Sequence, residues 1–240
     1  MRRLFRSFER SGVDSLLVSG QACVLYGAAT FSEDIDLWIR PTSENAGRFL
    51  RALARCRARV DRLTPPLSPR LLRRGHGFHF LIPAEPSPVY LDVMGKPPRV
   101  PSFETARRRA QILTTDWGRV PVISIEDLVS MKKTRRLADY EVITNLVRIR
   151  VSLEGAAAPA LLRWAAENSF RPEQRAEFLR RLGERVNPEG LRRRIAREVS
   201  AHQARDLLYW KPVVEDLRRR RRAGTLLPEG LPVARLLRSR

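Results

Sequence analysis

Residues 16–39, LLVSGQACVLYGAATFSEDIDLWI, constrain the fold of this chain more than any other stretch. The apolar run at the start predicts a short strand that ends at Ser19-Gly20, and QACVLYGAA predicts a short helix directly after that turn. The run DIDLWIR predicts a second strand, which Pro41 ends. The segment therefore predicts a strand, a turn, a helix and a strand in quick succession, with two aspartates in the second strand.

The two aspartates, Asp34 and Asp36, are two positions apart, so in a strand they project from the same face. Two carboxylates on one face repel each other and resist desolvation, which favours a cation between them. Phosphoryl transfer offers such a cation, because carboxylates hold Mg²⁺ that bridges a triphosphate. A third acid is expected from a neighbouring strand, and Asp92 in VYLDVMG lies on the opposite side of its strand from Leu91 and Val93.

Phosphate oxygens also need donors. The turn at Ser19-Gly20, with a helix opening at Gln21, predicts free N–H groups and the positive end of a helix dipole. Each feature has a simpler interpretation: the aspartate pair as a calcium ligand or solvated surface, the Ser-Gly as an ordinary turn, and Asp92 as a surface residue. The combination favours a metal-dependent nucleotide site.

The remaining elements predict an α+β fold, in which helices flank a mixed β-sheet and a helical C-terminal region follows. Residues 42–60 predict an amphipathic helix with Thr42 or Ser43 as N-cap, and GFHFLIP and VYLDVMG predict a hairpin. From Ser124 onward the pattern is helical, with breaks expected near Gly155, Pro172, Pro188 and Pro212. We expect a core over residues 1–122 and a helical region over residues 123–240.

Composition limits the class of protein. The chain has 240 residues and a net charge of +20, which attracts nucleic acids, but the basic residues are nearly all arginine and are spread along the chain. The one dense run is Arg218 to Arg222, a pattern typical of a solvated helix face. No signal peptide or membrane span is expected, so the default location is the cytoplasm. The two cysteines, Cys23 and Cys56, have no metal-ligand spacing and are expected to be core thiols.

The stretch VSGQACVLYGAATFSEDIDLWI resembles the first motif of the DNA polymerase beta-like nucleotidyltransferase superfamily. The minimal and AbiEii-toxin types of bacterial nucleotidyltransferase are the most similar branch. The resemblance extends over about residues 10–147, since YLDVMG is similar to the third-carboxylate strand and VPVISIEDLVSMKKTRRLADYEVI to a lysine-containing helix. Ser19-Gly20-Gln21 departs from the usual Gly-Gly or Gly-Ser, and the spacing from lysine to aspartate also differs.

The resemblance implies a nucleotidyltransferase that moves a nucleoside monophosphate from a nucleoside triphosphate to an acceptor hydroxyl and releases pyrophosphate. The cofactor implied is Mg²⁺, or Mn²⁺ in its place. A cognate antitoxin or another small partner protein is a further implied partner, and no membrane is expected. The implied residues are catalytic and metal-binding carboxylates, phosphate-binding residues at the turn, and a lysine that balances leaving-group charge: Asp34, Asp36, Asp92, Ser19, Gly20, Gln21, and Lys132 or Lys133.

Other functions remain open at this point. A non-catalytic nucleic-acid-binding protein and an antitoxin-like partner are alternatives on the same fold, and the complete set of three carboxylates argues against both. The acceptor is not defined: an RNA end, a protein hydroxyl or a small hydroxylated molecule would suit the same site, with RNA motivated by the charge. His76 and His79 are expected to be core or rim histidines, and the four tryptophans to be packing residues.

Overall fold

A seven-stranded mixed sheet forms the centre of the computed structural model, which describes residues 1–155 and 158–237. The spatial order is β3-β4-β5-β2-β1-β7-β6, with parallel pairing between β2 and β5 and between β1 and β7 and antiparallel pairing elsewhere. The strands are β1 (Ser15–Val18), β2 (Asp34–Ile39), β3 (Arg59–Val60), β4 (Gly77–Ile82), β5 (Val89–Met94), β6 (Gln111–Thr115) and β7 (Gly118–Val122). The predicted mixed sheet is confirmed.

The helices cover the sheet and then continue beyond it. Those connected with the sheet are α1 (Arg2–Ser11), α2 (Ser19–Leu25), α3 (Ser43–Arg55), α4 (Pro69–Arg73) and α5 (Phe103–Arg109). Those of the second half are α6 (Ile125–Met131), α7 (Ala138–Ser152), α8 (Pro159–Asn168), α9 (Pro172–Arg181) and α10 (Pro188–Arg222), followed by a short 3₁₀ helix (Val233–Leu237). The predicted helical C-terminal region is therefore confirmed as well.

Alternation along the strands separates a packed face of the sheet from a polar one. Ile35 on β2 lies opposite Leu91 on β5, which lies opposite Phe80 on β4, and all three side chains are buried. This face packs against α3, where the rings of Phe49 and Phe80 are 6.0 Å apart. The next residues in register, including both aspartates of β2, therefore project from the other face.

Local sequence explains where these elements begin and end. The Thr42 side chain accepts a hydrogen bond from the Asn45 backbone N–H, so Thr42 is the N-cap of α3. Ser124 caps α6 in the same way through the N–H of Asp127. The hairpin of β4 and β5 is confirmed by their antiparallel pairing, and both cysteines are buried and free, as expected.

Two parts of the helical and strand prediction were wrong or incomplete. Pro212 does not break a helix but lies inside the 35-residue α10. Pro212 and Leu208 are both exposed, so water can reach the Leu208 carbonyl that proline cannot bond. The hairpin of β6 and β7 was missed, although its Thr- and Val-containing strands join at the Asp116-Trp117 turn.

The end of the chain returns to the sheet. The Val60 N–H donates to the Leu231 carbonyl at 2.8 Å, and the Gly230 N–H donates to the Val60 carbonyl at 2.8 Å. The 3₁₀ helix then packs on α3. The division between residues 122 and 123 stays a prediction, with the last segment lying beside β3.

Throughout the described ranges, the helices that are long enough to cross a membrane are too polar to do so.

Candidate active site

Three carboxylates lie on the polar face of the two central strands. Asp36 on β2 is directly opposite Asp92 on β5 in the parallel register, and Asp34 is opposite Tyr90. Neighbouring strands are about 4.8 Å apart, so the backbone brings Asp36 and Asp92 side by side. The sequence could place Asp34 and Asp36 on one face, but the strand pairing is what adds Asp92 to them.

Asp36 and Asp34 lie in an environment that opposes their negative charge. Burial, followed by the charge of Asp92, raises the pKa of Asp36 to about 6, although a hydrogen bond from Ser19 and the charge of Lys132 act in the other direction. Burial and the charge of Asp92 also raise the pKa of Asp34 above its usual range. Both carboxylates would therefore be stabilised by a bound cation.

Asp92 already has partners in this structure. Its Oδ1 lies 2.7 Å from Nδ1 of His79, and its Oδ2 lies 3.7 Å from a guanidinium nitrogen of Arg62. His79 is the residue of β4 that faces Asp92 in the antiparallel register. The expectation of a rim histidine thus becomes more specific, since His79 contacts one of the three site carboxylates.

These carboxylates have the chemistry that a magnesium site requires. Within residues 1–155 and 158–237, no three His, Cys, Asp or Glu side chains form a ready-made group for a metal ion. Mg²⁺ usually keeps several waters and is held by one or two carboxylates together with substrate phosphates, rather than by a closed set of protein ligands. Asp34 and Asp36, which have no basic side chain within salt-bridge distance in the described part of the chain, fit that mode.

A cavity of about 260 Å³ opens beside Asp36. Its walls come from the polar face of the sheet, the end of α6, the segment that follows α6, and α10. The lining residues are Ser19, Asp36, Met94, Pro98, Arg99, Met131, Lys132, Thr134, Arg135, Arg136, Asp206 and Trp210. Four basic side chains therefore surround a space that one of the site carboxylates also reaches.

The structure separates the two candidate lysines. Lys132 lines the cavity, is buried, and donates from Nζ to Oδ1 of Asp139 at 3.0 Å. Lys133 points elsewhere: burial lowers its pKa, while the carboxylates of Glu167 and Glu198 on α8 and α10 act to raise it. Lys132 is thus the lysine that lies near Asp36.

The three residues of the predicted phosphate-binding turn have different surroundings. Ser19 lines the cavity in a left-handed backbone conformation, with φ of 56°. Gly20 lies against Ser32, whose Oγ would be 2.2 Å from an added Cβ. The Gln21 side-chain amide donates to the Ser32 carbonyl at 2.8 Å. Ser19 is therefore brought to the cavity, whereas Gly20 and Gln21 hold the loop before β2.

Several cavity residues were missed in the sequence. Arg99 donates to the Ser130 and Met131 carbonyls and to Oδ1 of Asp206 at 2.9 Å. Asp206 and Trp210 belong to α10, more than 70 positions after Lys132, and no local pattern could reveal them. Trp210 lines the cavity and also contacts Tyr209, so the expectation of a purely packing tryptophan was incomplete.

The arginine run of α10 is partly neutralised within the protein. Buried Asp216 pairs with Arg219 and with Nε of Arg220 at 2.7 Å. The other Asp216 contact is Nε2 of His76 at 3.1 Å, which makes His76 a buried histidine as expected. Two of the five arginines are therefore paired within α10, and Asp216 also joins α10 to the segment before β4 through His76.

Comparisons with known proteins found weak structural similarities. No protein-family model and no curated protein matches the chain. A "putative nucleotidyltransferase" from Helicobacter pylori is similar with a TM-score of 0.42 and 13% identity, over 86% of this chain and 92% of that one. JHP933 from Helicobacter pylori is similar with a TM-score of 0.42 and 12% identity, over 91% and 94%. Similarities of this size establish neither a family nor the AbiEii type expected from the motifs.

Proposed function

We propose that this protein is a metal-dependent nucleotidyltransferase. It would move a nucleoside monophosphate from a nucleoside triphosphate to an acceptor hydroxyl, with release of pyrophosphate. The observation that carries the proposal is the direct register of Asp36 and Asp92 on neighbouring strands, beside a cavity lined by four basic side chains. Carboxylates next to a cationic cavity are what a metal-bound triphosphate requires.

Mg²⁺ is the cofactor in this proposal, with Mn²⁺ as its substitute. Asp34 and Asp36 would hold it, because burial and the charge of Asp92 disfavour the ionised form of both carboxylates, and a bound cation would offset that cost. When bound, the metal would neutralise phosphate charge and polarise the α-phosphate. Asp92 would complete the site through Oδ2, while Oδ1 keeps its contact with His79.

The protein's own residues would bind and orient the triphosphate. Lys132, Arg135 and Arg136 line the cavity and would contact phosphate oxygens. Asp139 holds Lys132 in place by the 3.0 Å hydrogen bond. Ser19, which also lines the cavity, would donate its hydroxyl to a phosphate oxygen. Lys132 is held by the fold before substrate binds, which favours electrostatic stabilisation of the leaving pyrophosphate.

Asp92 would act on the acceptor. The acceptor oxygen forms a bond to the α-phosphorus while the bond from that phosphorus to the bridging oxygen breaks in line with it. The acceptor proton would pass to a carboxylate oxygen of Asp92. His79, at 2.7 Å from Oδ1, would orient that carboxylate. RNA is the proposed acceptor, because a polyanion suits a chain with net charge +20.

One observation favours a second candidate, a non-catalytic nucleic-acid-binding protein. Asp92 is engaged by His79 and Arg62, and no three metal-ligating side chains form a group among the described residues. A protein that had lost catalysis could keep such pairing as a structural contact. The two candidates differ in whether any nucleotide is transferred.

The test uses each α-labelled nucleoside triphosphate with Mg²⁺ and total RNA. We expect label to enter RNA with equimolar pyrophosphate release, and Asp36→Asn to reduce the rate at least a thousandfold, a loss of about 4 kcal/mol of transition-state stabilisation. Glu229→Gln, an exposed glutamate in the turn before the 3₁₀ helix, is the matched control and should keep full activity. Equal activity of wild type and Asp36→Asn would show that the site is not catalytic.

A further inference from the structure

A second basic surface lies between α1 and the end of α3. It is a groove of about 450 Å³, called here the α1 groove, lined by five arginines together with Ser7 and Cys56. The arginines are Arg2, Arg3, Arg6, Arg10 and Arg55. In the part of the chain that the structure describes, none of the five forms a salt bridge. The groove is therefore a concentration of positive charge that the protein does not neutralise.

The contacts of these arginines orient them without removing their charge. Arg2 donates to the Asp116 carbonyl, Arg3 to the Arg55 carbonyl, and Arg55 to the Ser11 hydroxyl. Arg6 and Arg10 have no hydrogen-bond partner among the described residues, and both are exposed. Neutral acceptors leave each guanidinium positive, so an anion in the groove would relieve their mutual repulsion.

Other arginines of the same half of the protein are paired differently. Arg40 lies 3.0 Å from Asp14, and Arg99 lies 2.9 Å from Asp206. On α10, Arg219 and Arg220 are held by Asp216. Many arginines elsewhere in the described ranges form no salt bridge either, so the α1 groove is distinguished by five unpaired arginines that line one concave surface.

The spacing along α1 favours a polymer over a single anion. Arg2, Arg6 and Arg10 recur every four residues, so they follow one side of the helix about 6 Å apart. A line of evenly spaced positive charges matches the repeated phosphates of a nucleic-acid strand. A single phosphate would need only one or two of these side chains.

An aromatic side chain lies on the other side of the same arginines. A second concave surface, of about 380 Å³, is lined by Arg2, Arg6, Arg119 and Trp117, together with the acidic residues Glu9 and Asp116. Trp117 is partly exposed and stacks on Phe5, with ring centroids 5.6 Å apart and planes 9° from parallel. A basic groove combined with a fixed aromatic side chain is the usual arrangement for binding single strands.

We propose that the α1 groove binds single-stranded nucleic acid. Arg2, Arg6 and Arg10 contact its phosphates, and Trp117 stacks on a base. This binding surface is separate from the cavity beside Asp36, because the two share no lining residue. The inference holds whether or not the protein transfers nucleotides.

The test measures binding of a labelled single strand of about 20 nucleotides by fluorescence anisotropy, from about 50 to about 300 mM salt. Arg6→Gln with Arg10→Gln is compared with Arg218→Gln with Arg222→Gln. Both pairs are exposed, lie four residues apart on a helix and remove the same charge. Affinity should fall more than tenfold in the α1 variant, and the log–log salt slope should flatten by about 1.4, from about 0.7 per contact.

The α10 variant should keep the wild-type slope. Equal losses in both variants would show attraction to net charge alone, and a larger loss in the α10 variant would place the strand on α10. Either result overturns the proposal, as would absence of binding by wild type or tighter binding of a duplex of the same sequence.

The stacking contact has its own readout. Trp117→Leu should weaken binding at least fivefold, since base stacking on an aromatic residue is worth about 1–3 kcal/mol. The salt slope should be unchanged, because no phosphate contact is lost. An unchanged affinity in a folded Trp117→Leu variant would remove the tryptophan from the binding surface.

Discussion

Carboxylates on the central strands and carboxylates in the helical half have opposite electrostatic surroundings. On β2, Asp34 and Asp36 have no basic side chain within salt-bridge distance among the described residues, and burial together with Asp92 raises the pKa of both. In the helical half, Asp139 and Asp216 are closely surrounded by basic side chains. The two regions differ in whether the protein itself places a basic side chain beside the carboxylate.

The helical aspartates show how the protein neutralises its own charge. Burial acts to raise the pKa of Asp139, but the charge of Lys132 and hydrogen bonds from Thr134 and Lys132 outweigh it, so that the pKa is lowered. For Asp216, burial is outweighed by hydrogen bonds from Arg220 and Arg219. These carboxylates are structural, because every charge they need is already present.

Asp127 is an intermediate case. It pairs with Arg109 at 3.3 Å, yet burial dominates and raises its pKa, and its Oδ2 has no hydrogen-bond partner. The pairing with an exposed arginine is too weak to reverse the effect of burial. A buried aspartate therefore needs close and well-ordered partners, which Asp34 and Asp36 lack.

The largest effect on stability should follow from breaking a paired carboxylate. In Asp139→Asn the buried Lys132 loses its counter-charge, so we expect a loss of about 3 kcal/mol in the free energy of unfolding. Denaturant unfolding at pH 7 measures this loss. The exposed Asp116→Asn serves as control and should change stability by less than about 0.5 kcal/mol. A comparable loss in both variants would contradict the structural role of the pair.

Removing the charge of an unpaired carboxylate should raise the free energy of unfolding rather than lower it. The pKa of Asp36 is about 6 in the folded protein, above its value of 3.8 when unfolded, so its ionisation costs stability above about pH 6. Asp36→Asn should therefore be more stable than wild type in metal-free buffer, by up to about 3 kcal/mol above pH 6.

The pH dependence distinguishes this effect from a general change in packing. The advantage of Asp36→Asn should shrink as pH falls from about 6 and vanish below about pH 3, where the wild-type carboxyl is protonated in both states. Unfolding curves across this range measure the difference. A constant difference at all pH values, or a less stable variant at pH 7, would show that Asp36 is already neutralised.

The sequence predicted the unpaired carboxylates better than the paired ones. Alternation with a period of two places Asp34 and Asp36 on one face, and the flanking Leu91 and Val93 place Asp92 on the polar face of its own strand. That Asp36 and Asp92 are in register depends on parallel pairing between strands 50 residues apart. Local patterns carry no information about such pairing.

The cavity was less predictable because distant parts of the chain build it. Lys132 and Lys133 are adjacent at the end of α6, so a small uncertainty in the helix end exchanges their directions. Asp206 and Trp210 come from α10, whose continuity through Pro212 was not expected. By contrast, the pairs that Asp216 forms with Arg219 and Arg220 follow the helical spacing of three and four residues. Such pairs can be predicted from the sequence once the helix is assigned.

The smallest expected effect concerns metal binding. If an external cation supplies the charge that β2 lacks, Mg²⁺ should stabilise wild type but not Asp36→Asn. At a Mg²⁺ concentration ten times the dissociation constant, the gain is about 1.4 kcal/mol, or a rise in melting temperature of about 3–5 °C for a chain of this size. Thermal unfolding with MgCl₂, and with KCl at matched ionic strength as control, measures it.

Asp139→Asn should keep the full Mg²⁺ response at the lower melting temperature of that variant, because its paired carboxylate is not a metal ligand. An equal response in wild type and Asp36→Asn would place the cation elsewhere. A response confined to proteins that retain Asp36 would identify the unpaired carboxylates of β2 as the site where the cation binds.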